Sequence, residues 1–181
     1  VVSLCWGLYW LHREQRCLNL LMDELSPLGP DADPMAWARL PYLDAVVKET
    51  LRLWPVVTDI NRVLAQPMQL DRYELPAGTN IAASSAILHY DPDLYPDAEK
   101  FRPERFLDRR FGPHEYIPFG GGERMCPGSH LSVFELKLVL ATLLTRYRFR
   151  LLDEGTMAVR RMGGMMTPTT GVRMQIEQIT T

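Results

Sequence analysis

One ten-residue stretch, Phe119-Gly120-Gly121-Gly122-Glu123-Arg124-Met125-Cys126-Pro127-Gly128, constrains this chain most, because it specifies a backbone path and a reactive side chain together. Consecutive glycines permit positive φ and let backbone approach a flat group closely. Arg124 sets a cation two residues ahead of Cys126. Gly128 opens an apolar helical run whose first amides favour negative charge on the sulfur. Phe119 is placed to shield that sulfur from water. The plainer alternative is a glycine-rich turn before a helix that buries an ordinary cysteine.

The spacing Phe-x-x-Gly-x-Arg-x-Cys-x-Gly, filled here by Phe119, Gly122, Arg124, Cys126 and Gly128, resembles the haem-binding loop of the cytochrome P-450 superfamily at every fixed position. The resemblance implies that Cys126 is the axial ligand of haem b (iron protoporphyrin IX) and that Arg124 meets an anionic propionate. It also implies a fold that is mainly α with small β-sheets (α+β), this chain being the C-terminal, haem-binding portion.

A second motif, Glu49-Thr50-Leu51-Arg52, puts carboxylate and guanidinium on one helical face, which taken alone reads as a solvated surface pair. Fifty residues on, Phe101-Arg102-Pro103-Glu104-Arg105-Phe106 supplies another arginine in a stiff loop. In the superfamily such residues form a partly buried structural network, and Glu49, Arg52 and Arg105 hold the matching positions. Arg62 lies on a strand that resembles the propionate-binding strand. His89, before Asp91-Pro92, reads as a hydrogen-bonding residue of its loop rather than a ligand. Beyond the cysteine, Glu135 agrees with the superfamily, whereas Ser132 stands where alanine is frequent. Possible substrate contacts are Val56, Val57, Thr58 and Ile60 in one apolar segment, and Met165 and Met166 at a hairpin tip. Flexible methionines and aliphatic side chains suit a lipophilic small molecule.

The chain of 181 residues is 46% apolar and carries a net charge of −2, which supports one core and gives no global bias toward nucleic acid. Cys5, Cys17 and Cys126 are odd in number and widely spaced, arguing against a disulfide framework. The glycine loop lacks the third glycine of a dinucleotide fingerprint and any Walker lysine. The expected elements are the end of a long central helix (1–11), an amphipathic helix (12–25), the Glu-x-x-Arg helix (about 41–54), short strands near 62–64, 68–70 and 80–83, the cysteine loop (119–128), a helix (about 128–147) and closing strands (about 148–178).

Opening on Val1 within an apolar run, the chain reads as the C-terminal part of a single longer domain, most similar to soluble, cytoplasmic bacterial members. The resemblance implies a monooxygenase that uses O2 and a ferredoxin- or flavodoxin-type electron donor with its reductase. Arg109, Arg110, Arg124 and Lys137 are candidates for a basic docking face. The alternative is a truncated haem-binding fragment with no monooxygenase activity of its own, since the distal helix and its proton-delivery residues lie outside the sequence.

Overall fold

The structure, a computed structural model, describes residues 1–152 and 155–179. In chain order its elements are α1 (Val2–Arg13), α2 (Gln15–Leu25), α3 (Pro34–Ala38), α4 (Pro41–Leu53), β1 (Asp59–Val63), β2 (Met68–Leu70), β3 (Tyr73–Leu75), β4 (Asn80–Ser84), α5 (Ser85–Leu88), α6 (Arg105–Asp108), α7 (Ser129–Arg146), β5 (Tyr147–Leu151), β6 (Val159–Met162), β7 (Met165–Pro168) and β8 (Met174–Ile179). The strands pair antiparallel as β1 with β4, β2 with β3, β5 with β8 and β6 with β7. The architecture is thus helical with small sheets. Among the described residues, no helix is long and apolar enough to cross a membrane.

Four helices enclose the core. Leu11 of α1, Cys17, Leu21 and Leu25 of α2, Leu43, Val46, Val47 and Leu51 of α4, and Leu136, Leu140 and Leu144 of α7 form one buried cluster. Their spacings of three and four residues place each set on one helical face. Where α1 crosses α4 and α7, a Cβ at Gly7 would come to 3.5 Å from Thr50 and 3.7 Å from Leu140, ordinary contact at a close crossing. Trp6 stacks on Trp54, with ring centroids 4.4 Å apart, and ties α1 to the end of α4.

The first helix runs two residues past its expected end at Leu11, and the break falls at Glu14 (φ −107°, ψ 75°). No glycine or proline marks this bend. It turns the Cys17–Leu21–Leu25 face of α2 onto the core that Leu11 already occupies. The strand expected from Arg62 begins earlier, at Asp59, because pairing with β4 extends back to the Asp59–Ser84 register. Tyr73–Leu75 adds a strand that the sequence pattern does not mark; a turn with Asp71 at φ 50° folds it back on β2.

The start of α4 is built from two helices. Pro41 occupies its first turn, and Leu40 offers no side-chain cap. Glu24, on α2, supplies the missing acceptor: Tyr42 N donates to Oε1 at 2.8 Å and Leu43 N to Oε2 at 2.9 Å. Asp44 in the same turn meets Lys48 at 2.6 Å and Lys137 of α7 at 2.5 Å. At the other end Trp54 N still bonds Thr50 O at 3.0 Å before Pro55 forbids another turn.

Candidate functional site: a cysteine loop beneath an apolar cavity

The glycine-rich loop closes on itself through backbone bonds. Gly120 N donates to Ile117 O at 3.0 Å, Cys126 N to Phe119 O at 3.0 Å, and Ser129 N to Cys126 O at 3.2 Å. Gly120 (φ 76°) and Gly122 (φ 66°) adopt left-handed conformations that strain other residues, so these two glycines are required by backbone geometry. Gly128 is different. It caps α7 at φ −85°, and a Cβ there would make an ordinary 3.9 Å contact with Cys126 Sγ.

The Cys126 thiol is exposed and borders a cavity of about 1130 Å³. Leu51, Val56, Val57, Ile60, Phe119 and Leu136 contribute apolar wall, and Arg62 and Arg124 contribute guanidinium groups. Met165 completes the wall from the hairpin, held there by a bridge between Val57 and Met165 and a 3.2 Å bond from Met166 N to Val56 O. Thr58 and Met166 stand outside that lining: Thr58 O accepts from Ser85 N at 2.8 Å, and Met166 O accepts from Trp6 Nε1 at 3.3 Å. Ser132 and Glu135 border the cavity from α7.

This donor set fits a haem. One thiol faces the space, two cations are available to propionates, and mainly apolar side chains line the remainder, with Asp59, Asn61, Ser132 and Glu135 at its polar points. Among the described residues no three His, Cys, Asp or Glu side chains gather as a metal cluster, and Cys126 is the one thiol in the cavity lining.

Behind the cavity, the charges seen as a possible surface pair are buried. Glu49 and Arg52 have no side-chain exposure and Arg105 has 5%. Glu49 Oε2 accepts from Arg52 Nε at 2.7 Å; Oε1 accepts from Arg52 Nη2 at 2.9 Å, Arg105 Nε at 3.0 Å and Arg102 N at 2.9 Å. The arginines spend their remaining donors on loop carbonyls: Arg52 on His89 O (2.6 Å) and Ala98 O (2.8 Å), Arg105 on Pro96 O (3.0 Å). The Tyr95 ring lies 5.0 Å from the Arg52 guanidinium. Every charge here is hydrogen-bonded, the condition under which burial is tolerated.

His89 is fully buried, its Nδ1 3.1 Å from Arg52 O and its Nε2 accepting from Ile117 N at 3.0 Å. Burial lowers its pKa to about 4. Burial also raises the Tyr116 hydroxyl far above its ordinary value. For Asp44, burial acts upward, but hydrogen bonds from Lys137 and Lys48 outweigh it and hold the carboxyl below its usual range.

The expected basic face is changed by its partners. Lys137 is mostly buried, tied to Asp44 and to Ala38 O at 3.0 Å, and Arg109 pairs with Glu115. Arg124 faces the cavity. Glu24, His89 and Tyr116 are the structural contributors that sequence reasoning passed over or left generic; each acts through a partner distant in sequence, which no local pattern marks.

The cytochrome P450 family description matches residues 1–176. A Mycobacterium tuberculosis protein named as cytochrome P450 135B1 is 36% identical over 135 residues, covering 75% of this chain and 29% of its own length. The mitochondrial 1,25-dihydroxyvitamin D(3) 24-hydroxylase of Mus musculus is 36% identical over 166 residues, covering 89% of this chain and 32% of the relative. Cytochrome P450 3A29 of Sus scrofa is 35% identical over 136 residues, covering 72% and 27%. These bacterial and mammalian relatives stand at similar identity, and the match spans less than a third of the length of each. With the match running from Val1 almost to the end, the chain belongs to the cytochrome P450 family.

Proposed function

We propose that these residues form the haem-binding part of a monooxygenase that inserts one oxygen atom of O2 into a lipophilic organic substrate, with Cys126 as the axial ligand of haem b. The observation that carries this reading is the placement of a single exposed thiol beside an apolar cavity that also receives Arg62 and Arg124. In cytochrome P450s as a class, haem held by a cysteine thiolate supplies reductive activation of dioxygen, the thiolate pushing electron density toward O–O cleavage.

This chain's residues hold and enclose. Phe119 lines the cavity and packs against the core, which limits water near Cys126. Phe119, Gly122, Arg124, Cys126 and Gly128 would make up the binding loop, and Arg62, which lines the cavity from β1, would meet carboxylates of the cofactor. Val56, Val57, Ile60 and Met165 give the substrate an apolar surface; Thr58 and Met166 support that surface through their backbone bonds. Glu49, Arg52 and Arg105 keep the intervening loop, from His89 to Arg102, folded against α4. Electrons come from a ferredoxin- or flavodoxin-type donor with its reductase. The cysteines at Cys5, Cys17 and Cys126 are all free thiols, which fits a reducing, cytoplasmic setting.

The test is the absorption of the reduced carbon monoxide adduct of the full-length protein. Cys126→Ser should abolish its thiolate-type band, and Cys5→Ser and Cys17→Ser should each preserve it. Survival of the band in Cys126→Ser would falsify the assignment.

A further inference from the structure

His89 joins the backbone of the Glu49–Arg52 helix to Ile117, two residues ahead of the cysteine loop. His89 lies at the end of α5 with no exposure. Its Nδ1 is 3.1 Å from Arg52 O, and a carbonyl can only accept, so Nδ1 carries the proton. Its Nε2 receives Ile117 N at 3.0 Å, and an amide can only donate, so Nε2 carries the lone pair. The two bonds together select the neutral ring in one tautomer. Arg52 returns the contact, donating from Nη1 to His89 O at 2.6 Å.

Ile117 is the entry to the loop. Its carbonyl accepts from Gly120 N at 3.0 Å, and Phe119, two residues on, accepts from Cys126 N at 3.0 Å. The groups facing His89 are Arg52 from α4, backed by Glu49, and the rings of Tyr116 (centroids 5.5 Å apart, stacked) and Tyr95 (6.0 Å, edge-on). Among these neighbours, no carboxylate contacts the ring to favour its charged form.

We propose that His89 is a positioning residue for the haem ligand: it fixes the height of the Cys126 loop against the Glu49–Arg52 helix by clamping Ile117 to Arg52. The proposal rests on the reading of Cys126 as ligand. His89 touches no part of the cavity; it acts through Ile117, Gly120 and Phe119. A proton added at Nε2 would set donor against donor at Ile117 and open the clamp. The depressed pKa, caused by burial, keeps that event away from neutral pH.

The experiment compares His89→Leu with His89→Gln in the haem-loaded full-length protein. Leucine fills the space without either hydrogen bond, whereas the glutamine amide offers one donor and one acceptor and does not titrate. Two readouts are taken: hydrogen exchange at the Ile117 amide, and the thiolate-type band of the reduced carbon monoxide adduct against pH. His89→Leu should speed Ile117 exchange about tenfold or more, the scale of a lost buried hydrogen bond, and weaken the band at neutral pH. His89→Gln should restore both, and should keep the band at acid pH where the wild-type protein loses it. Cys126→Ser serves as the control, removing the band while leaving Ile117 exchange slow. Unchanged Ile117 exchange in His89→Leu, or leucine and glutamine variants that behave alike, overturns the proposal. If His89→Leu does not fold, fast Ile117 exchange in His89→Gln overturns it, and slow exchange with the acid-resistant band supports it. A band that survives Cys126→Ser removes the ligand reading alone, since Ile117 exchange still judges the clamp.

Discussion

At Glu49 one carboxylate accepts from Arg52 twice, from Arg105 and from the Arg102 amide, with no solvent to replace any of them. Arg105→Ala should therefore cost roughly 3–5 kcal/mol, because it leaves Glu49 buried and undercompensated. Urea unfolding of the full-length protein measures this, and haem content should fall in parallel. Arg105→Lys should recover only part, since an ammonium cannot reproduce the fork that reaches Glu49, Pro96 O and Asp97 O together. His89 adds a dependence on acid. Its pKa falls from 6.5 to about 4 on folding, so the unfolded chain binds more protons between those values. The stability it contributes is complete above about pH 6.5 and is lost as the pH drops toward about 4. The urea midpoint should decline across that window, and His89→Gln should flatten the decline; an equally steep loss in the glutamine variant would refute this assignment.

Among the elements, α4 depends on a neighbour for its first turn. Glu24→Ala should cost about 1 kcal/mol, the usual worth of a helix cap, and Glu24→Gln should cost less because its amide oxygen can still accept one of the two amides. Chemical denaturation of both variants checks the order. This helix was legible beforehand because Pro41 marks its start, Trp54-Pro55 its end, and Leu43, Val46, Val47 and Leu51 fall on one face. The cysteine loop was legible as well, its positive-φ glycines demanding a residue type that survives in sequence as a motif. The break between the first two helices was legible near Leu11, but its position at Glu14 was not, since nothing in that residue type opposes a continuous helix and only the packing of Cys17, Leu21 and Leu25 decides it. Nor was β3, whose three residues take their conformation from pairing with β2. Burial of Glu49 and Arg52 could not be told from local spacing, because the same i, i+3 pair serves equally well on a wet surface. It is set by carbonyls far downstream, such as Ala98 O, 46 residues beyond Arg52.

For the molecule as a whole, the cavity draws its walls from the first turn of α1, the end of α4, β1, the glycine loop, α7 and the Met165 hairpin. The apolar side chain of Leu131 (60% exposed) faces outward on α7, Val139 (38%) borders the open cavity, and the relatives are well over twice as long as this sequence. The 181-residue chain produced by itself should take up haem well below one equivalent, oxidise no substrate with reductase present, and associate through its apolar surface. Haem titration, product analysis and light scattering test this; stoichiometric haem with coupled product would overturn it. The Glu49 hub also bears on how the chain reaches this state. Its bonds to Arg102 and Arg105 close segments of 53 and 56 residues, so their formation carries a loop-closure entropy that the Arg52 pair, within one helical turn, escapes. The α4 helix should thus consolidate before the downstream loop locks onto it. In kinetic terms, conservative substitution at Val46 should slow folding, whereas truncation of Arg105 should chiefly quicken unfolding, placing that arginine on the far side of the rate-limiting barrier.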